Sequence, residues 1–315
     1  MKLQTQLPLE NQVPTINYHS KLVLLGSCFA ENIAEKFSYY KFQNKVNPLG
    51  VLFHPIAILE LLTRAHHNTP YTEKDVFFSN GCWQSFQAHS RLNSTSQSEI
   101  LKDLNTALKS TQNQLKTASH VILTFGTSWV YKHIESKTIV ANCHKQPQKE
   151  FEKSILSIQQ LQESFNAILS ILKAFNPNVS VIFSISPVRH LKDGFVENNQ
   201  SKAHLIAALH SVINITENTH YFPSYELLMD ELRDYRFYKE DMVHPNPIAI
   251  DYIWEKFKSI WIHTDANPIM QEVSQLQKGF AHKPFNPLTP EHATFLSTLA
   301  KKAQALETQF PFMKF

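Results

Sequence analysis

The chain has 315 residues, 43% of them hydrophobic and 18% charged, with a formal net charge of +3. This is the make-up of a globular protein with an adequate core. The charge is too small to argue for a nucleic-acid partner, and Lys and Arg form no run of five or six.

No apolar run approaches the ~18 residues needed to span a membrane. The opening MKLQTQLPLE has no apolar h-region, so no secretory signal is expected. Cys28, Cys82 and Cys143 are an odd number without CxxC spacing. They argue for a reducing compartment with neither a disulfide framework nor a zinc site, and the expected location is cytoplasmic. Glycine is scarce: the chain has 6, where average usage of about 7% would give roughly 22. Each one should mark a place where the backbone demands it.

In chain order, KLVLL at 21–25 is an apolar run closed by Gly26, which suits a buried strand. Ile33, Ala34 and Phe37 then fall at helical spacing, predicting a helix over about 28–39. KFQNKV suits a second strand, NPLGVLFHP a loop, and 55–66 a helix. FFSNGCWQSFQAH suggests short strands around an Asn80-Gly81 turn, and a helix over about 97–117 follows.

HVILTFGTSWVY is an apolar run that ends at Gly126, with a hairpin through Glu135-Ser136-Lys137 beyond it. SILSIQQLQESFNAILSILKAF is an amphipathic helix. NVSVIFSISP is a buried strand stopped by Pro187. A helix over about 200–217, a short strand near HYF and a helical stretch with loops over 224–240 come next. DMVHPN leads into a helix with Pro247 in its first turn. Beyond about 265, helices over 268–278 and 290–308 flank HKPFNPLTP.

Alternating strands and helices predict an α/β fold whose parallel sheet is covered on both faces. In such sheets ligands bind outside the carboxyl ends of the strands. Strand ends LLGSC, TFGTS and SISPVRH would gather Ser27, Cys28, Gly126, Thr127, Ser128, Arg189 and His190 there.

A strand–Gly–x–nucleophile–helix junction exposes a side chain at the sheet edge. The helix end offers free N–H groups and a positive dipole that favour a thiolate or an oxyanion. The same junction also suits a capping Ser27 and a core Cys28. Asp241 and His244 stand three residues apart before a helix. There the carboxylate can hold Nδ1–H and leave Nε2 free as a base. Arg189 and His190 could bind an anionic or sugar-like group, or serve as a surface ion pair and a loop cap. His54 and His89 read as structural. Trp83, Trp129 and Tyr131 suit core packing, with sugar stacking as the alternative.

The nucleophile turn and the Asp-x-x-His element together resemble the SGNH (GDSL-like) hydrolase superfamily. Within it, GSCFA at 26–30, NPLGVLFHP, SPVRH, ENNQSKA and DELRDYRFYKEDMVHP resemble the GSCFA family over roughly residues 15–262. The resemblance implies a flavodoxin-like three-layer sandwich over 1–264. A helical extension over 265–315 would pack on that domain or on a partner.

It also implies site roles. By register Cys28 takes the nucleophile position and Ser27 the neighbouring aspartate position, with Ser27 kept as the alternative. Asp241 and His244 complete the catalytic set. Gly50 N–H would serve the oxyanion hole, with Ser128 where relatives carry asparagine, or Asn47 as another donor. Gly126, Thr127, Arg189 and His190 would contact substrate. The implied activity is ester hydrolysis by acyl transfer on a small acylated substrate, with acylated carbohydrate as the candidate class. No cofactor, metal, nucleic acid or membrane is implied. Acyl transfer to another acceptor and non-catalytic binding are the alternatives, and the oligomeric state stays open.

Overall fold

A computed structural model describes residues 4–213 and 218–315. The elements run β1 (Lys21–Gly26), α1 (Cys28–Tyr39), β2 (Gln43–Val46), α2 (Pro55–His67), β3 (Phe77–Ser79), β4 (Cys82–Gln84) and α3 (Gln97–Leu115). Then come β5 (His120–Phe125), β6 (Trp129–His133), β7 (Ile139–Val140), β8 (Phe151–Ile155), α4 (Ile158–Phe175), β9 (Ser180–Ile185), α5 (Phe195–Ile213) and β10 (Thr219–Phe222). A short α6 (Ser224–Glu226), then α7 (Pro247–Trp261), α8 (Ala266–Ala281) and α9 (Pro290–Gln309) complete the chain.

Five strands form one sheet in the order β10-β9-β5-β1-β2, all parallel. By strand rank this is the flavodoxin-like order 2-1-3-4-5, whose direction reverses between β1 and β5. A crevice opens at that switch point, outside the carboxyl ends. The central strands are buried on both faces, which is why β1, β5 and β9 read as unbroken apolar runs. Val23, Leu25, Val121, Leu123 and Phe183 face a core shared with α2, α3, α4 and α5. Leu22, Leu24, Ile122 and Ile182 face the opposite core, shared with α1 and α7. Met270, Val273, Leu299 and Leu306 of the last two helices join this second core.

Outside the sheet, β3 and β4 pair around Asn80 and Gly81, both at positive φ. β7, β6 and β8 form a small antiparallel sheet. The sequence reading missed β8, and the helix expected from residue 200 begins at Phe195. That reading carried the helix on to 217, but 214–217 lie outside the described residues.

Gly26 closes β1 at φ +141 and lies against β5, where an added Cβ would come within 2.1 Å of the Thr124 carbonyl oxygen. Both the conformation and the contact exclude a side chain. Gly26→Ala is expected to lower stability by about 2 kcal/mol or more. Thermal unfolding of the variant checks this, and an unchanged midpoint would show that the junction relaxes.

Candidate active site

The junction after β1 is held from both sides. Ser27 N–H donates to Thr124 O at 3.0 Å, and Gly26 N–H donates to Asn47 Oδ1 at 2.8 Å. Ser27 is the N-cap of α1, buried at 2% exposure, and its Oγ accepts the Phe29 N–H. Its hydroxyl is thus turned inward and in use. Cys28 is the first residue of α1, is half-buried, and lines a cavity of about 520 Å³.

Burial and the nearby Glu31 carboxylate push the Cys28 thiol pKa up. Its own N–H, that of Phe29 and the Lys202 ammonium pull it down. The helix start therefore acts on the sulfur as expected, against a desolvation cost that is larger.

Thr127, His190, His54 and His89 line the same cavity, with Trp129 and Tyr131 among its aromatic residues. Trp83 is not among its lining residues and packs against Phe78. His54 caps α2 through Nδ1, and its Nε2 lies 3.1 Å from Val140 O. Burial drives its pKa down to about 4. His89 Nδ1 accepts Arg91 N–H. Both histidines hold backbone, and both also form cavity wall.

His190 has a buried Nε2 without a hydrogen-bond partner, facing Gly126 and packed beside Phe53. Burial, with the Lys202 charge second, lowers its pKa to about 4. Arg189, next in the chain, turns the other way. It lines a separate cavity with Tyr225, Arg233 and Tyr235, and its guanidinium lies over the Tyr238 ring. The expected Arg189–His190 pair is thus divided between two cavities.

Asp241 and His244 form a surface dyad, with Oδ2 2.7 Å from Nδ1 and side chains 48% and 40% exposed. The other carboxylate oxygen accepts the N–H groups of Val243 and His244 at 2.9 Å each. The His244 and Val243 amides, more than the imidazole, pull the Asp241 pKa down to about 2. Met242 between them takes φ +53, a left-handed conformation that lets the turn close on the carboxylate. The Nδ1 contact fixes the tautomer with Nε2 free for proton transfer. Arg189 N–H donates to Val243 O at 3.5 Å, which sets this turn beside the segment that carries His190. Among the described residues no hydrogen bond joins His244 to Cys28 or Ser27.

The groups expected in the oxyanion hole are engaged elsewhere. Gly50 N–H donates to Asn47 O at 2.8 Å, closing the turn that its φ of +80 permits. The Asn47 side chain spends Oδ1 on Gly26 and Nδ2 on Glu31. Ser128 is fully buried, and its hydroxyl donates to Ser201. Gly126 and Thr127 both direct their N–H groups to Phe53 O. Among the described residues, Val51 N–H in the cavity wall has no acceptor, and no other residue accepts Cys28 N–H at the helix start.

Sequence reasoning missed the residues that organise this end of the sheet. They sit on α5, in the motif ENNQSKA. Asn198 Oδ1 accepts His190 N–H, and Ser201 bonds Thr127 Oγ1 and Ser128 N–H. Lys202 is 1% exposed, and its Nζ donates to Gly126 O and Ser186 O at 2.7 Å each. The motif itself was a signal, but no spacing in it told which side chains turn inward.

The sequence pattern of the GSCFA family matches residues 21–257, and that of the GSCFA domain protein C-terminal domain matches 273–315. A comparison with curated proteins finds no match. Among solved structures, a family 3 carbohydrate esterase of Clostridium thermocellum is 8% identical, with a TM-score of 0.37, covering 81% of this chain and 98% of its own. An acetyl esterase mutant with acetate ion is 11% identical, with a TM-score of 0.37, covering 81% and 100%. A carbohydrate esterase family 3 protein of Talaromyces cellulolyticus is 10% identical, with a TM-score of 0.36, covering 81% and 99%. These likenesses are too distant to assign an activity.

His54 and His190 ionise near pH 4 in the folded chain, against about 6.5 in the unfolded one. Between those values the unfolded state binds more protons, so stability falls as the pH drops from about 6.5 to 4. Thermal midpoints across that range should show the fall, and His54→Asn should make it shallower. An unchanged slope in His54→Asn would remove His54 from this account.

Proposed function

The chain belongs to the GSCFA family, and from its site we propose an ester hydrolase of SGNH (GDSL-like) type in which Cys28 is the nucleophile. The observation that carries this is the contrast between the neighbours at the junction. Ser27 is buried and caps the helix, whereas the Cys28 side chain reaches a cavity at the switch point.

In this reading the Cys28 sulfur attacks the ester carbonyl, and the thiol proton passes through His244 Nε2 to the departing alkoxide. The carbonyl electron pair becomes an oxyanion, which Cys28 N–H and Val51 N–H are free to receive. Water then attacks the thioester, with His244 again taking the proton. Asp241 holds the imidazole tautomer throughout. His190 Nε2 is the buried polar atom available to the substrate.

Trp129, Tyr131 and the neutral histidines give the cavity flat faces and hydrogen-bonding edges, which suit an acylated carbohydrate. We read 265–315 as an extension packed on the α/β unit, because its apolar residues share the α1 core. Transfer of the acyl group to an acceptor other than water would use the same residues.

With p-nitrophenyl acetate as substrate, Cys28→Ala and His244→Ala should each reduce turnover by about 10²-fold or more. Ser27→Ala should keep the chemistry and lose about 1 kcal/mol of stability as a missing N-cap. Full activity in Cys28→Ala together with loss in Ser27→Ala would move the nucleophile to Ser27. Activity surviving in His244→Ala would remove the dyad from the mechanism.

A further inference from the structure

One wall of the Cys28 cavity is a tight turn, Cys143-His144-Lys145-Gln146. Gln146 N–H donates to Cys143 O at 2.9 Å, and the two central residues take φ +50 and +58. These are the marks of a type I′ turn, whose central positions favour Asn and Gly. His144 and Lys145 stand there instead, in a left-handed backbone that strains both. Asn142 Oδ1 supports the turn by accepting His144 N–H at 2.8 Å. Strain held at a cavity wall points to the two side chains that it fixes in place.

His144 is 5% exposed and lines the cavity. Its Nε2 lies 2.7 Å from Ser85 O and 3.1 Å from Ala88 O. Carbonyl oxygens only accept, so Nε2 carries the proton and Nδ1 is a bare acceptor. That Nδ1 is buried and has no hydrogen-bond partner. A hydroxyl entering the cavity would supply the missing donor.

The charges of the lining do not balance. Asp193 is its one carboxylate among the described residues, and it is spent on Lys153 at 2.6 Å. Lys153 in turn lies over the Trp129 ring at 4.6 Å. Glu31, which acts on Cys28, pairs with Arg91 at 2.8 Å. Burial lowers the pKa of all four lining histidines and raises that of both lining thiols, so these groups are neutral near pH 7. Lys145 and Lys192 line the same cavity, and among the described residues neither pairs with a carboxylate. The excess is positive.

We infer that this wall is the seat of a sugar acid: a ring hydroxyl donates to His144 Nδ1, and an anionic substituent, carboxylate or sulfate, faces the ammonium groups of Lys145 and Lys192. The inference rests on reading the cavity as the site of an acylated carbohydrate, and it names the charge of that substrate. Trp129 and Tyr131 would lie along the sugar ring.

The test is calorimetric titration of the intact chain with unacetylated methyl glucuronoside, methyl glucoside and methyl glucoside 6-sulfate. An anionic sugar should bind roughly tenfold more tightly than the neutral one, as two partly exposed ion pairs allow, and added salt should narrow the gap. The tighter of the two anionic sugars tells carboxylate from sulfate. Lys145→Gln with Lys192→Gln, both on exposed side chains, should bring the ratio of affinities to about one. In the unaltered chain, the 15N resonance of His144 Nδ1 should move on binding while that of Nε2 stays.

Equal affinity for charged and neutral sugars, or no binding of any of them at millimolar concentration, would overturn the inference. A His144 Nδ1 resonance that does not move would overturn the hydroxyl contact. None of these readings uses ester turnover. A chain that prefers the anionic sugar but cleaves no ester would refute the hydrolase reading and leave the seat standing. Ester cleavage without that preference would do the reverse.

Discussion

The carboxyl end of the sheet is tied together by one buried ammonium. Lys202 reaches across from α5 and ends on Gly126 O and Ser186 O. Without it, two main-chain carbonyls beside an open crevice would lose their donor in a dry environment. Ser201 and Asn198 extend the same helical face onto Thr127, Ser128 and His190. The loops after β5 and β9 thus both lean on α5, with Phe53 O holding the first from the other side, and the cavity takes part of its wall from them.

A second bracket works on the junction between β1 and α1. Asn47, at φ +41, fixes Gly26 through its side-chain oxygen and reaches Glu31 through its nitrogen. Arg91 closes the group by pairing with Glu31 at 2.8 Å and donating to Asn47 O at 2.9 Å. The loop NPLG therefore supports the turn from below, with Asn47 N–H spent on Leu24 O and Gly50 N–H on Asn47 O. Val51, the next residue, lines the cavity, and among the described residues its N–H has no acceptor.

The fold was largely legible because buried parallel strands leave a simple trace. KLVLL, HVILTF and NVSVIFSI can only be covered on both faces, and the spacing between them leaves room for helices. β8 left no such trace. Its burial alternates along FEKSI, it belongs to a small sheet with β6 and β7, and its polar residues resemble those of a loop. The place of Cys28 at the start of α1 and the Asp241–His244 contact were readable because local spacing alone creates them. The hydrogen bonds of Ser128, Asn47 and Gly50 were not legible, because the destination of a hydrogen bond depends on which distant segment arrives beside it. Lys202 is the extreme case: a lysine within a polar helical stretch ordinarily points to solvent, and only the tertiary structure shows it turned inward.

The helix that carries Cys28 has consequences for where adjustment can occur. α1 buries Phe29, Ile33, Ala34 and Phe37 in the second core, and Phe37 meets Trp254 and Phe257 edge to face. The last two helices press on that same layer. Displacing the sulfur would mean shifting a whole stratum of interlocked rings, a motion that close-packed interiors resist. The Asp241–His244 turn is held differently, by half-exposed bonds within the turn and by main-chain bonds from Lys239 N–H to His244 O and from Asn246 N–H to Phe237 O. The first turn of α1 thus rests on an anvil: the sulfur of Cys28 keeps its place as long as that layer of rings stays packed.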